Sequence, residues 1–219
     1  MAVTSSFRSH AADPGTAGDR SRAATAARLM AAGESLFAAH GYHGVTTHDI
    51  ARYAGVAAGT FYLHFRDKAD LYRAIADRTI AALDERLDEA GPGRGTAEGL
   101  RIRFAALVDF ADEHRDLVRI LFRSGTKDAV LESELLDQLA ERIARGRDAA
   151  GARHPDLDPG VVSQALVGML SRVIAWWVED PSRVARETLI ETLTQIQCAG
   201  THPRRPDAAG AAAAQEEET

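Results

Sequence analysis

Hydroxyl and cationic side chains gather between residues 46 and 68, where Thr46, Thr47, His48, Thr60, Tyr62, His64 and Lys68 are interleaved with Ala57, Ala58 and Gly59. Groups of this kind suit phosphate oxygens: a lysine attaches ionically and Thr or Tyr hydroxyls donate hydrogen bonds. Gly59 permits close backbone approach, and Ala58 offers a methyl for apolar contact with thymine. Other polar clusters offer less. Asp112-Glu113-His114 and His154-Pro155-Asp156-Leu157-Asp158 are the segments that invite a metal or hydrolase reading, but neither has metal-ligand spacing on one helical face. No nucleophile elbow accompanies them, and helix-end capping explains them better. The run Gly91–Gly95 lacks the strand and Walker-type context of a phosphate loop and reads as a linker turn. No metal, cofactor or enzymatic activity is therefore expected.

The elements that must position the 46–68 cluster are legible. Thr46 is an N-cap with Asp49 three residues later, the pattern of a capping box, and Ile50, Ala51 and Ala54 form one apolar face. Gly55 follows where the chain reverses and favours positive φ, with Val56 as an apolar plug under the bend. A second short helix starts at about Ala57 and turns Phe61 and Phe65 inward, leaving Ala58, Thr60, Tyr62 and His64 toward the outside. Residues 46–65 thus read as a helix-turn-helix. Upstream, a helix over about 22–40 carries Leu29, Gly33, Leu36 and Phe37 on one side, with Gly41 as its left-handed cap. Gly33 inside a helix costs about 1 kcal/mol relative to Ala, which points to a close helix crossing there.

These residues carry a resemblance. Thr46-Thr47, Asp49-Ile50-Ala51, Ala54-Gly55-Val56, Gly59-Thr60-Phe61-Tyr62, His64-Phe65 and Lys68 fall where the TetR family of ligand-responsive transcriptional repressors has its signature. Leu29, Ala32, Leu36-Phe37 and Gly41-Tyr42 extend the match to roughly residues 22–80. The resemblance implies DNA contact by Thr46, Thr47, His48, Ala57, Ala58, Gly59, Thr60, Tyr62, His64 and Lys68. The family's recognition helix usually begins with Ser and a basic or polar residue; Ala57 and Ala58 stand here, removing a side-chain cap and a phosphate or base contact.

The chain has 219 residues, 45% hydrophobic and 26% charged, which is ordinary for a globular protein. Its net charge of −6 argues superficially against a nucleic-acid partner. Residues 1–68, however, hold 7 Lys+Arg against 5 Asp+Glu (net +2), and the remainder 19 against 27 (net −8). A single cysteine, Cys198, excludes an internal disulfide framework and fits a cytoplasmic location. The most apolar run, 161–178, is interrupted by Ser163, Gln164, Ser171 and Arg172, so no membrane span is expected.

The remaining chain reads as helices over about 68–89, 96–113, 116–122, 127–147, 158–178 and from near 180–182 to 200, with flexible segments at 1–21 and 201–219. Asp158-Pro159 opens the penultimate helix as N-cap and first-turn proline. Large apolar groups Phe104, Leu107, Leu121, Leu135, Leu139, Leu166, Met169 and Trp177, with His114 and Arg172 as polar anchors, are the candidate lining of a ligand pocket for a small, mostly apolar effector. The last two helices carry surplus apolar surface, with Val161, Ala165, Val173, Trp176, Leu189, Leu193 and Ile196 as candidates for a homodimer seam. The resemblance points the same way, since the family dimerises through its last two helices.

The expectation is an all-α chain: a three-helix, helix-turn-helix domain over 22–68 followed by a six-helix effector-binding and dimerisation domain over 69–200. It would act as a repressor, released from palindromic double-stranded operator DNA by a small apolar effector. An effector-independent architectural DNA binder and a small all-α metal-dependent hydrolase are the alternatives.

Overall fold

The computed structural model describes residues 17–91, 96–122, 129–149 and 156–199. Among them the order is α1 (Ala17–His40), α2 (Thr47–Tyr53), α3 (Ala58–Phe61), α4 (Lys68–Glu89), α5 (Ala97–Glu113), α6 (Arg115–Phe122), α7 (Ala129–Ala149), α8 (Pro159–Glu179) and α9 (Arg186–Ala199), with a 3-10 turn at Pro181–Arg183. The all-α expectation holds. Two boundaries are corrected. The segment read as a flexible arm gives residues 17–21 to α1, where Asp19 in the first turn favours the helix dipole. The last helix begins at Arg186, because Asp180 accepts from the backbone N–H and hydroxyl of Ser182 and ties residues 181–183 into a separate turn. The linker glycines after Gly91, Ser124-Gly125, His154-Pro155 and the tail 201–219 lie outside the described residues.

Helix starts follow side-chain capping. Thr96 accepts from the Gly99 N–H and Asp158 from the Val161 N–H, each satisfying an N–H that has no partner within its helix. The expected cap and proline of α8 are in place.

Two apolar cores result. One joins Leu29, Phe37, Ile50, Phe61, Leu71, Tyr72 and Ile75 to Ile120, Leu121, Leu131 and Leu135, and so runs from the first three helices through α4 into α6 and α7. A division at residues 68/69 is therefore not where packing divides. The first half of α4 completes the core of the helices before it. The second core joins Phe104, Val108, Ile174, Trp177, Val178, Leu189, Ile190 and Leu193 from α5, α8 and α9. Phe122 packs against both.

α1 crosses α4 at Gly33. A Cβ there would stand 2.8 Å from Leu71 Cδ2 and 3.2 Å from Ile75 Cδ1, closer than ordinary van der Waals contact. The glycine's propensity penalty is thus offset by a close approach that any larger residue would push apart. Gly33→Val is expected to lower stability by about 1–3 kcal/mol through overpacking, read as a lower urea midpoint with an unchanged slope; an unchanged midpoint would mean the crossing is looser than it stands here.

Candidate nucleic-acid interface

α2 starts as its sequence dictates. Thr46 Oγ1 accepts from the Asp49 N–H at 3.1 Å, and Asp49 Oδ2 accepts from both the Thr46 N–H at 3.1 Å and the Thr46 hydroxyl at 2.6 Å. The Thr46 side chain is thereby committed to the capping box. These bonds, the Thr46 hydroxyl's first, hold the Asp49 carboxyl below its ordinary value of 3.8. The helix ends in a turn where Gly55 has φ +67°, a conformation side chains other than glycine's rarely adopt. α3 then starts at Ala57 with no side-chain cap, as its lack of a polar oxygen requires. Phe61 and Phe65 are buried beneath it, with their rings 5.8 Å apart.

The expected contact residues sort into distinct environments. His48, Ala57, Ala58, Gly59 and Tyr62 are exposed on α2 and α3, while Thr47, Thr60 and His64 are half-buried. The Thr47 and Tyr62 hydroxyls stand 3.0 Å apart and hydrogen-bond across the motif, so two polar candidates present themselves as a pair. Tyr53 and Leu63 are also exposed, at 62% and 69%; sequence periodicity gave no signal for them. Arg52 pairs with Asp49 at 2.8 Å.

Lys68 has partners within the chain. Its Nζ donates to the carbonyl oxygens of Tyr42 at 2.7 Å and Val45 at 2.9 Å and lies 4.2 Å from the centre of the Tyr42 ring. The ammonium expected on phosphate also pins the α1–α2 loop to the start of α4. Two arginines that sequence reading passed over act similarly on the motif itself. Arg28 donates to the carbonyl oxygens of Ala54 and Gly55, and Arg22 to that of Leu63.

The pocket and seam candidates divide less simply. Phe104, Leu121, Leu135 and Trp177 are buried, and they belong to two separate cores. Leu107, Leu139, Leu166 and Met169 are half-buried. His114 is half-buried with its ring 4.4 Å from that of Phe110. Arg172 is exposed on α8 and does not point into either core, which corrects its assignment as a pocket anchor. Leu189 and Leu193, expected at a dimer seam, are 4% and 1% exposed within the chain's own core. Four-residue spacing could not tell them from outward-facing positions. Val161 is 68% exposed, Ala165 is exposed, and Val173, Trp176 and Ile196 are half-buried. By length and composition α8 could cross a bilayer, yet it packs along α6 and α7.

The acidic segments have structural duties. Asp112 pairs with Arg115 and Glu113 with Arg86 at 3.2 Å, and Asp158 caps α8. Among the described residues no three His, Cys, Asp or Glu side chains stand where they would hold a metal ion.

Lys68→Met is expected to cost about 1.5–3 kcal/mol, because two hydrogen bonds from a charged donor are lost at a half-buried site; a thermal midpoint equal to the parent's would remove the clamp. The capping box sets a pH dependence as well. Asp49 has a lowered folded value, so its stabilisation is complete above its ordinary 3.8 and is lost as pH falls through that lower value. The stability gap between parent and Asp49→Asn should therefore narrow as pH falls below 3.8, and a gap that stays constant there would contradict it.

Residues 29–75 match the family described as "Bacterial regulatory proteins, tetR family". The HTH-type transcriptional regulator YdgC of Bacillus subtilis (strain 168), itself uncharacterized, is 25% identical over 171 residues, 74% of this chain and 87% of that protein. The HTH-type transcriptional repressor BepR of Brucella suis biovar 1 is 32% identical over 126 residues, 54% of this chain and 59% of that protein. Among solved structures, the transcriptional regulator FadR from Bacillus subtilis in complex with stearoyl-CoA superposes with a TM-score of 0.61 at 21% identity, covering 80% of this chain and 99% of that one, a likeness of fold. With its helix-turn-helix, its all-α architecture and these relatives, the chain carries the N-terminal domain of the tetR family over residues 29–75 and is similar to transcriptional regulators over most of its length.

Proposed function

We propose that this regulator is a ligand-responsive repressor that binds a palindromic operator as a homodimer and is released by a small apolar effector. The observation that carries the reading is the continuity of one apolar core from α2 and α3 through α1 and α4 into α6 and α7. A molecule that displaces α6 or α7 thereby acts on the helices that would read DNA, and it shifts the balance between orientations by its differential affinity for them. The Brucella relative is named a repressor, which supports the sign of the response.

In this reading His48, Ala57, Ala58, Gly59, Thr60 and the Thr47–Tyr62 pair face the duplex, while Thr46 and Lys68 hold the motif from behind. The effector would enter where the two cores meet at Phe122, among the partly buried Leu107, Leu139 and Met169 packed against them. A lining of large apolar groups favours a hydrophobic ligand, and the Bacillus FadR structure named above is a complex with stearoyl-CoA. The dimer would use the outer face of α8 around Val161 and Ala165, with Ile196 of α9. The six-helix part of the chain would so combine sensing and dimerisation.

Selecting duplexes from a random pool with the purified protein tests the core of this. A selected site is expected to be an inverted repeat whose half-site centres lie a whole number of helical turns apart; recovery of no preferred sequence would favour an architectural binder. Long-chain acyl compounds should lower affinity for that site, and release only by a strongly polar metabolite would overturn the effector class. Ala165→Glu should split the dimer in light scattering while the protomer stays folded, whereas Leu193→Glu should unfold it. A dimeric Ala165→Glu protein would move the seam elsewhere.

A further inference from the structure

Two arginines of α1 reach the exits of both motif helices. Arg28 Nη2 donates to the carbonyl oxygen of Ala54, the C-cap of α2, and at 3.3 Å to that of Gly55 in the turn. Arg22 Nη2 donates at 3.1 Å to the carbonyl oxygen of Leu63, one residue past the C-cap of α3. The last carbonyls of a helix have no partners within it and carry its negative dipole end, so a guanidinium there satisfies both needs. The turn is shaped to admit it. A Cβ on Gly55 would lie 3.0 Å from Arg28 Nη2, and Gly55 already requires positive φ.

Below these bonds α2 and α3 rest on α1 and α4 through apolar contacts, which are non-directional and tolerate small rotations. The arginine bonds fix direction. They tie the end of each motif helix to α1, which also packs against α6. Arginine suits this task better than lysine because its planar fork holds a fixed geometry.

We propose that Arg22 and Arg28 are positioning residues for DNA recognition: they set the angle of α2 and α3 on α1 and do not themselves bind phosphate. This rests on the operator-binding reading above. A phosphate-binding arginine contributes to all duplexes alike and to the salt dependence of affinity. A positioning arginine contributes to the preferred sequence alone.

The test compares parent, Arg28→Gln, Arg28→Lys and Arg22→Gln proteins, folded by circular dichroism, on the duplex selected by the parent and on a random-sequence duplex over a salt series. Arg28→Gln and Arg22→Gln are each expected to weaken binding to the selected duplex by about tenfold, the loss that one misread base pair brings. Random-duplex affinity and the salt slope should match the parent. Arg28→Lys, able to reach one carbonyl, should recover part of the loss, and it decides the matter for residue 28 should the glutamine variant not fold. Equal losses on both duplexes, with a slope flattened by about 0.9 per residue removed, would make these arginines phosphate contacts and overturn the proposal. So would parental affinity for the selected duplex in all variants. A parent protein that prefers no sequence would instead overturn the operator reading itself.

Discussion

The crossing of α1 over α4 at Gly33 is the constraint on which the rest depends. Because the position has no side chain, Leu71 and Ile75 close directly over the α1 backbone. That contact seats Phe37 against Tyr72, whose ring also meets Tyr42 edge-on at 5.5 Å. With Tyr42 fixed, its carbonyl and that of Val45 are aligned for Lys68, and the chain leaves the loop at the angle from which Thr46 caps α2. Each step uses the geometry supplied by the one before it. A wider crossing would loosen the aromatic cluster, then the lysine clamp, then the motif.

The same crossing explains why the two functional halves are mechanically one body. α4 gives its first turns to the core of the motif and its outer flank to ion pairs with other helices: Arg73 with Glu134 of α7, Asp84 with Arg142 of α7, and Arg78 with Glu34 of α1. Tyr72 adds a bond from its hydroxyl to the Ile120 carbonyl of α6 at 3.3 Å. Pairs this exposed are individually weak, so they serve register more than stability. The apolar core beneath them is the continuous connection through which the proposed coupling would pass, since close-packed interiors shift between discrete arrangements and do not deform smoothly.

Much of this was legible in the sequence where one local rule decides the outcome. The Thr46–Asp49 box, the positive φ of Gly41 and Gly55, the Asp158 cap and the tight approach at Gly33 each follow from a single residue's chemistry. Periodicity failed where two faces of one helix are both apolar. Leu189 and Leu193 share the four-residue spacing of a seam, yet they point inward because α5 covers them, a fact fixed by residues some eighty positions away. The carbonyl partners of Lys68 were hidden for a related reason. Its position in the family signature says that a cation belongs there but not which acceptors it meets, and the α1–α2 loop brings two carbonyls to it. Arg22 and Arg28 sit on an exposed helix face, where pattern alone gives an arginine no partner.

These commitments bear on how a chain of net charge −6 would hold a polyanion. Near the motif the cations are largely engaged by the protein's own acceptors: Arg22 and Arg28 with carbonyls, Arg52 with Asp49, Arg66 with Asp70, Lys68 with the α1–α2 loop. The surface that remains on α2 and α3 is one of hydroxyls, imidazoles, small residues and an exposed tyrosine. Such a surface has little charge of its own to place on phosphate, so its selectivity for a duplex rests on fit. Fit is demanding of angle, and a protein that relies on it needs its reading helices held by directional bonds from a rigid neighbour. The diversion of arginines from phosphate to backbone carbonyls therefore serves binding: it exchanges an indiscriminate attraction for the orientation on which a selective one depends.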